Sequence, residues 1–479
     1  MAEHVRQQLA RLPGLSQRAA PYSMTDIVLA LLLFYLPLAH FTPPRLFRTS
    51  LLQVPTWGSG NETGWSITPF LVPETLLIFV VGAGVLAARR GSLWRPNSSI
   101  SPLRWASGLM LAGSTVSLIV SQYPGISIGG LAGRCTVFAL AVVMALSAPS
   151  PQAVKLWTYA VIAGTSLMCA AGLYYFYQAF GLPTSLSNLP IYRVSPSIRN
   201  YQLATYGFAS NTVDLLVVTA PLTVALVVAR SSGWLARILL GVAAALMYAN
   251  LLVSFERWAW VCLAIAVLLT VLFYRRQRRA LVIAGAVLLA VAIGGATIAA
   301  QLGDYFQQAL DPSSGSNTID RLRDWGEGLA VLIANPAGVG LGTVGTLPAL
   351  TQTSSHNLFI DIGIEGGLLA LVGSIVWTIH HVDQALRVIL RADAEDELAF
   401  GLLLGALMFV VYGLFFSSLL YFSGLMVWLA VWWCFPVMAS AVRGSASSSA
   451  STARPLRPRN DARTALGRGS MPVGSGPDR

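Results

Sequence analysis

Apolar stretches of roughly 17–25 residues, the length that carries a helix across a bilayer, recur along most of this chain. Twelve can be read, near residues 24–42, 69–88, 104–121, 129–148, 154–180, 211–229, 236–253, 258–274, 281–300, 357–379, 397–418 and 420–440. A chain crossing lipid this often must satisfy its backbone polar groups inside helices. The expected fold is therefore an all-α polytopic integral membrane protein, with about 12 transmembrane helices and two long outer loops, 181–210 and 301–356. Composition agrees: 55% of the 479 residues are hydrophobic and 11% are charged, against about 25% charged in a soluble domain. The last two stretches are parted only around Ser418 to Tyr421, so one re-entrant hairpin is the alternative there.

The first 23 residues are polar, the apolar stretch after them is long, and no small-residue cleavage site follows. A retained first helix is expected rather than a signal peptide. Positive charge gives the orientation. With twelve spans and both termini in the cytoplasm, 23 of the 31 Arg and Lys fall inside and 8 outside. The chain then divides into a cytoplasmic tail over 1–23, a membrane domain over 24–440 and a basic cytoplasmic tail over 441–479. That last tail is rich in Ser, Ala, Gly, Pro and Arg and poor in large apolar groups, so it is expected to be disordered. Its arginines suit either solvent or anionic lipid heads. The net charge of +11 follows from topology and tail and does not point to nucleic acid. The four cysteines, Cys135, Cys169, Cys262 and Cys434, all fall in expected spans. They read as small packing residues rather than a disulfide framework.

Candidate chemistry gathers on the outer side. His356 opens the span near 357–379, and Arg257 opens the one near 258–274. Arg193 and Arg199 lie in the first outer loop, Arg321 and Arg323 in the second, and Arg134 about a turn inside the fourth span. Converging loops would make a cationic pocket with one base. Arginine binds phosphate oxygens in pairs and keeps its charge, and histidine takes protons near neutral pH. Singly, each residue also fits a plainer role, since interfacial arginines snorkel and a lone interfacial histidine can serve backbone or lipid. His380 and His381 read as interfacial histidines at the inner end of their span. Gly340-Leu341-Gly342-Thr343-Val344-Gly345 fits the dinucleotide fingerprint in letters only, because that fingerprint requires a strand before it and a helix after it. Its glycines instead suit a tight turn. No Asp-x-Asp and no His/Cys pair at ligand spacing occurs in either outer loop, so no metal and no cofactor is expected. In a straight helix Glu365 lies about 180° around and roughly 13 Å beyond His356. It therefore cannot orient that histidine, faces another helix and needs a partner or a proton there. Gly363 and Gly367 form a G-x-x-x-G pair that permits close helix contact.

Several of these residues fall in one ordered pattern. His356-Asn357 opens a late helix, with Glu365 nine residues on and Gly367 two beyond it. Upstream stand Arg321-Leu322, Trp325, and the turn Pro336, Gly338, Gly340, Gly342. Ser254 and Arg257 form a Ser-x-x-Arg at a helix start, and Gly207, Phe208, Asn211 and Pro221 follow Arg199. In this pattern the chain resembles the O-antigen ligase / O-antigen polymerase superfamily of bacterial membrane glycan transferases, most strongly over about 199–367. The resemblance implies metal-independent transfer of a glycan from an undecaprenyl-pyrophosphate carrier to a sugar hydroxyl, on the outer face of the cytoplasmic membrane. It implies a lipid A-core or another glycan as acceptor and membrane lipids as surroundings. His356 would be the base. Arg257, Arg321 and Arg199 would hold the pyrophosphate, with Arg193, Arg323 and Arg134 in reserve, and Asn357, Glu365, Gly363 and Gly367 would support the site. Ligase, polymerase and transfer to protein differ only in acceptor and are not separated by these residues. A transporter is the alternative from another class, although no internal repeat is present and the ionisable groups sit at one face.

Overall fold

The computed structural model describes residues 22–39, 101–147, 149–180, 209–229, 232–254, 257–275, 317–344, 347, 355–391, 396–415 and 432–443, with the isolated positions 82 and 282. Among the described residues the secondary structure is helical, without strands. In chain order the helices are α1 (Met24–Ala39), α2 (Ser101–Val120), α3 (Pro124–Leu146), α4 (Pro151–Phe180), α5 (Ala209–Val228), α6 (Trp234–Ser254), α7 (Arg257–Phe273), α8 (Asn317–Ala334), α9 (Leu358–Arg391) and α10 (Glu397–Gly413). A further helix, α11, covers 432–443.

Four segments are long and apolar enough to cross a membrane by length and composition: Pro102–Val120, Pro151–Tyr174, Trp234–Leu251 and Leu358–Arg391. Five shorter apolar helices accompany them: Met24–Leu38, Gly130–Leu146, Val213–Val228, Trp258–Phe273 and Glu397–Gly413. These nine coincide with nine of the twelve expected stretches, and α11 overlaps the end of a tenth. Apart from positions 82 and 282, the stretches near 69–88 and 281–300, the loop 181–208 and the tail from 444 lie outside the described residues. Two details differ from expectation. The loop 301–356 contains a helix, α8. And α9 continues to Arg391, which places His380 and His381 within the helix instead of at its end.

The bundle is pinned by close helix pairs: α9 along α2, α1 along α4, and α10 along α5, with α6 against α4 and α5, and α7 against α10. Lipid tails are as apolar as leucine, so close packing must supply the attraction. Small residues permit it. A Cβ on Gly113 of α2 would stand 2.5 Å from the carbonyl oxygen of Gly366, and one on Gly405 of α10 would stand 2.6 Å from that of Val218. Large aromatic side chains fill the interior: Trp377 stacks on Trp433 at 4.5 Å, and Phe273 on Phe400 at 4.1 Å. At the start of α1, Ser23 and Asp26 cap the helix reciprocally, the Ser23 Oγ accepting from the Asp26 N–H at 3.1 Å and the Asp26 carboxylate accepting from the Ser23 N–H at 2.8 Å. The Trp157 indole then ties α4 to that first turn, donating to the Asp26 carbonyl at 2.9 Å.

One feature of α9 positions everything that follows. The helix is broken at Gly367, whose φ of 72° and ψ of −177° are not helical. The half before the break is buried almost throughout, while beyond it Leu368, Leu369, Val372 and Ile375 are exposed. A break frees backbone groups that lipid cannot satisfy. Residues 336–342 meet that need, bonding to the backbone on both sides of the break.

Candidate active site

α8 runs alongside the first half of α9. Its inward face carries Asp324, Gly328, Val331 and Leu332, all buried. Gly328 rests against Ile360 and Ser355, and Leu332 against Gly363. Val331, Leu332, Val344, Ile360 and Ile364 form a small apolar core of their own between the two helices. This packing fixes Asp324 at the level of His356. The His356 Nδ1 lies 2.8 Å from Asp324 Oδ2, with Asp324 nearly inaccessible and the imidazole about one-quarter exposed, 25%.

His356 is also the one non-glycine residue of left-handed backbone among the described residues, with φ 55°. An L side chain in that region is held at a cost of about 1–2 kcal/mol, and such outliers concentrate at functional sites. The flanking residues hold the conformation. The Ser355 N–H donates to Asp361 Oδ1 at 3.0 Å. Asn357 Oδ1 accepts from the N–H groups of Phe359 and Ile360 at 3.0 and 3.2 Å, capping α9. Its Nδ2 donates to the Leu414 carbonyl at 3.0 Å, joining the site to the end of α10.

Arg321 lies one turn before Asp324 on α8, and its Nη1 donates to the Phe415 carbonyl at 2.8 Å. The Phe415 ring stacks on Trp258 at 3.8 Å and meets Trp325 at 6.2 Å. Trp258 is the second residue of α7, so the backbone of Arg257 enters the same neighbourhood. Burial, and then the positive charge of Arg321 beside it, push the His356 ring down from its ordinary range to about 4. At neutral pH the ring is therefore neutral, with Nδ1–H donated to Asp324 and Nε2 the nitrogen able to take a proton.

Beneath the site, residues 336–342 close the break in α9. The Val339 N–H donates to the Ile364 carbonyl at 2.9 Å, the Gly340 N–H to that of Glu365 at 3.3 Å, and the Leu368 N–H to that of Pro336 at 2.9 Å. Ser117 of α2 donates its hydroxyl to the Glu365 carbonyl and accepts from the Gly340 N–H at 2.8 Å. The Glu365 side chain accepts from the Gly342 N–H at 2.9 Å and from Arg134 Nη2 at 3.0 Å. That pair is buried on both sides, at 2% and 1% exposure, and Arg134 Nη1 also donates to Ser114 Oγ at 2.8 Å. The turn can lie this close only because of its glycines. Gly340 has φ 117°, and a Cβ there would stand 2.1 Å from Ser121 Oγ.

Of the residues singled out in the sequence, the fold brings His356, Arg321, Asn357 and the opening of α7 at Arg257 to one mouth. Arg323 points away, 66% exposed and paired with Glu327 at 3.1 Å. Arg134 is not at the mouth: buried against Glu365 and Ser114, it serves the turn, which corrects its place among the reserve phosphate ligands. Gly363 makes the expected close helix contact, with Leu332, but Gly367 is the break itself. Arg193 and Arg199 lie outside the described residues, as does the Arg257 side chain. Sequence reasoning passed over Asp324. Its signal was its place three residues after Arg321 on an amphipathic helix, which sets acid and base side by side once α8 is recognised. Among the described residues no three His, Cys, Asp or Glu side chains gather where they could hold one metal ion.

No curated protein matches the chain. Residues 242–375 match the family model described as O-antigen ligase. That segment contains Arg257, Arg321, Asp324, His356, the glycine turn and the break at Gly367, and over it the chain is similar to the O-antigen ligase family.

Proposed function

We propose that this protein transfers a glycan from an undecaprenyl-pyrophosphate carrier to a sugar hydroxyl at the mouth of α9. The observation that carries the reading is the contact of His356 Nδ1 with Asp324 at 2.8 Å, with Arg321 beside it. His356 Nε2 takes the proton of the acceptor hydroxyl. The hydroxyl oxygen forms the new bond to the anomeric carbon, whose bond to the phosphate oxygen breaks, and the lipid pyrophosphate leaves with the electron pair. Asp324 holds the tautomer and stabilises the imidazolium as it forms. A positioned base of this kind is worth about 10²–10⁴-fold.

Charge develops on the leaving pyrophosphate, where fixed cations have the largest effect. Arg321, which lies beside His356, and Arg257, at the opening of α7, are the assignments, with Arg199 and Arg193 from the first loop as further ligands. Arg321 is tethered to the Phe415 carbonyl, so it can present its charge without first being ordered. The reaction belongs on the outer face of the cytoplasmic membrane, with both termini inside. The acceptor is lipid A-core for a ligase, or a second lipid-linked glycan for a polymerase. A transporter receives no support from the family match.

The test is transfer by purified protein in proteoliposomes. His356→Ala should abolish product while leaving the protein folded, and near-normal transfer would remove histidine from the role of base. Arg257→Lys keeps the charge but loses the fork, so it should raise the KM for donor more than for acceptor; equal effects would remove it from the pyrophosphate.

A further inference from the structure

α8 was expected to lie in an extramembrane loop, yet its register against α9 says otherwise. Asp324 is level with His356, Gly328 with Ile360, Leu332 with Gly363, and Pro336 with Leu368. α9 is one of the segments long and apolar enough to cross a membrane. Gly367 lies nine residues beyond Leu358, about 14 Å further along the helix. α8 therefore descends beside a membrane span, and the turn 336–342 sits at the bottom of the descent.

The charge pattern follows the same descent. Asp320, Arg321, Arg323, Asp324 and Glu327 all lie in the first part of α8, and from Gly328 to Ser355 the sequence carries no charged residue or histidine. The outward face is apolar. Leu322, Gly326, Leu329 and Ile333 fall within about 60° of one another around the helix at 100° per residue, opposite the face that carries Asp324 and Val331. Leu322, Leu329 and Ile333 are 59%, 46% and 78% exposed. At its lower end this stripe meets the exposed flank of α9 beyond the break, Leu368, Leu369, Val372 and Ile375, through the bond from the Leu368 N–H to the Pro336 carbonyl. Irregular backbone at such depth is tolerated when protein buries it. Leu341, Thr343 and Val344 are buried, and the N–H groups of Val339, Gly340 and Gly342 are all bonded.

We infer that α8 and the turn 336–342 form a re-entrant element dipped into the leaflet on the His356 side, its stripe of Leu322, Leu329 and Ile333 packed against the acyl chains of the bilayer. The inference does not depend on the chemistry proposed above. It makes the base and its acidic partner ride on a helix that the lipid itself holds in place.

The test is nitroxide labelling of the full chain in phospholipid vesicles. Labels go at 322, 323, 329 and 333, either as cysteines with Cys135, Cys169, Cys262 and Cys434 replaced by alanine, or through an encoded ketone residue in the native chain. Collision with oxygen reports lipid and collision with a nickel chelate reports water. Labels at 329 and 333 should be oxygen-rich and severalfold less accessible to nickel than the label at 323, with depth increasing from 322 to 333. Equal nickel access at 333 and 323 would overturn the inference by showing an aqueous face. Low access to both reagents, relieved by diluting the protein in lipid, would overturn it in favour of a second copy. Loss of oxygen access only on adding undecaprenyl phosphate would overturn it in favour of a groove for the carrier.

Discussion

Replacing Glu365 by alanine should be among the most damaging single changes available in this fold. The carboxylate meets a buried guanidinium at 3.0 Å and a backbone N–H of the turn at 2.9 Å. Its removal leaves Arg134, 2% exposed, without its counter-charge and orphans the Gly342 donor. Breaking a buried pair from one side costs about 3–5 kcal/mol, which includes much of the roughly 1–3 kcal/mol for a stranded buried donor. Against a typical stability of about 5–15 kcal/mol, that is a large fraction. Glu365→Gln keeps an acceptor for Gly342 but not the charge, so it should fall between. Arg134→Met with Glu365→Met removes both charges together and should be more stable than either single alanine variant. The assay is the unfolding midpoint in mixed micelles titrated with denaturing detergent, followed by tryptophan fluorescence. Glu365→Ala unfolding at the wild-type midpoint, or a double variant no better than the worse single, would refute the account of the turn as fastened by this pair.

Four other outcomes follow from the structure. Burial and Arg321 hold His356 at about 4, so base-catalysed transfer should rise with pH through an acid limb near that value; Arg321→Gln removes the nearby cation and should move the limb upward in a pH profile of kcat/KM. The same depressed basicity means the unfolded chain binds the proton first, so stability should be complete above about 6.5 and should fall as pH drops from there towards 4; His356→Gln should flatten that dependence in the detergent titration. Gly367→Ala places a Cβ 2.6 Å from the Pro336 carbonyl oxygen at a φ of 72° and should reduce the folded yield sharply, whereas Gly326→Ala, with no atom within 4 Å, should be neutral or stabilising by about 0.4–1 kcal/mol. Asn357→Ala removes the cap of α9 and the bond to Leu414, a loss of about 1–2 kcal/mol in midpoint, while Asn357→Asp should retain the cap and lose only the tie to Leu414.

The spans were legible because hydropathy over twenty residues integrates many weak preferences into one strong one, and α1 to α7, α9 and α10 lie where the apolar stretches stand. α8 was hidden from that signal. Its first half is charged and its second half apolar, so its average resembles neither a span nor an ordinary solvated helix. Once α8 was missed, Asp324 had no face to belong to, and the acidic partner of His356 went unnamed although its neighbour Arg321 was singled out. Glu365 was read as facing another helix and needing a partner or a proton there, because a lone carboxylate at such depth is expensive. That the partner is Arg134, 231 positions earlier, is a fact of tertiary packing that no local pattern carries. Gly367 shows the limit most clearly, since G-x-x-x-G signals close approach but does not say whether the approaching group is a helix or a turn.

The break and the ion pair answer the same need. Ending helical geometry at Gly367 releases the carbonyls of Ile364 and Glu365, which continued helix would have given to Leu368 and Leu369. Lipid could not accept them unsatisfied, so something polar must reach that depth, and a turn with its own N–H groups does so. Yet a turn with three glycines, Gly338, Gly340 and Gly342, has much chain entropy to lose and little side chain to hold it. Glu365 supplies the missing anchor by accepting from Gly342, and Arg134 holds that carboxylate in place. The fastening is felt above, because α8 enters the turn directly and carries Asp324 to His356 and Arg321 to Phe415. On this physics a helix that simply continued through Gly367 would be the more stable span. It would have no use for the turn, and so no means of holding an acid and a cation beside the histidine at its mouth.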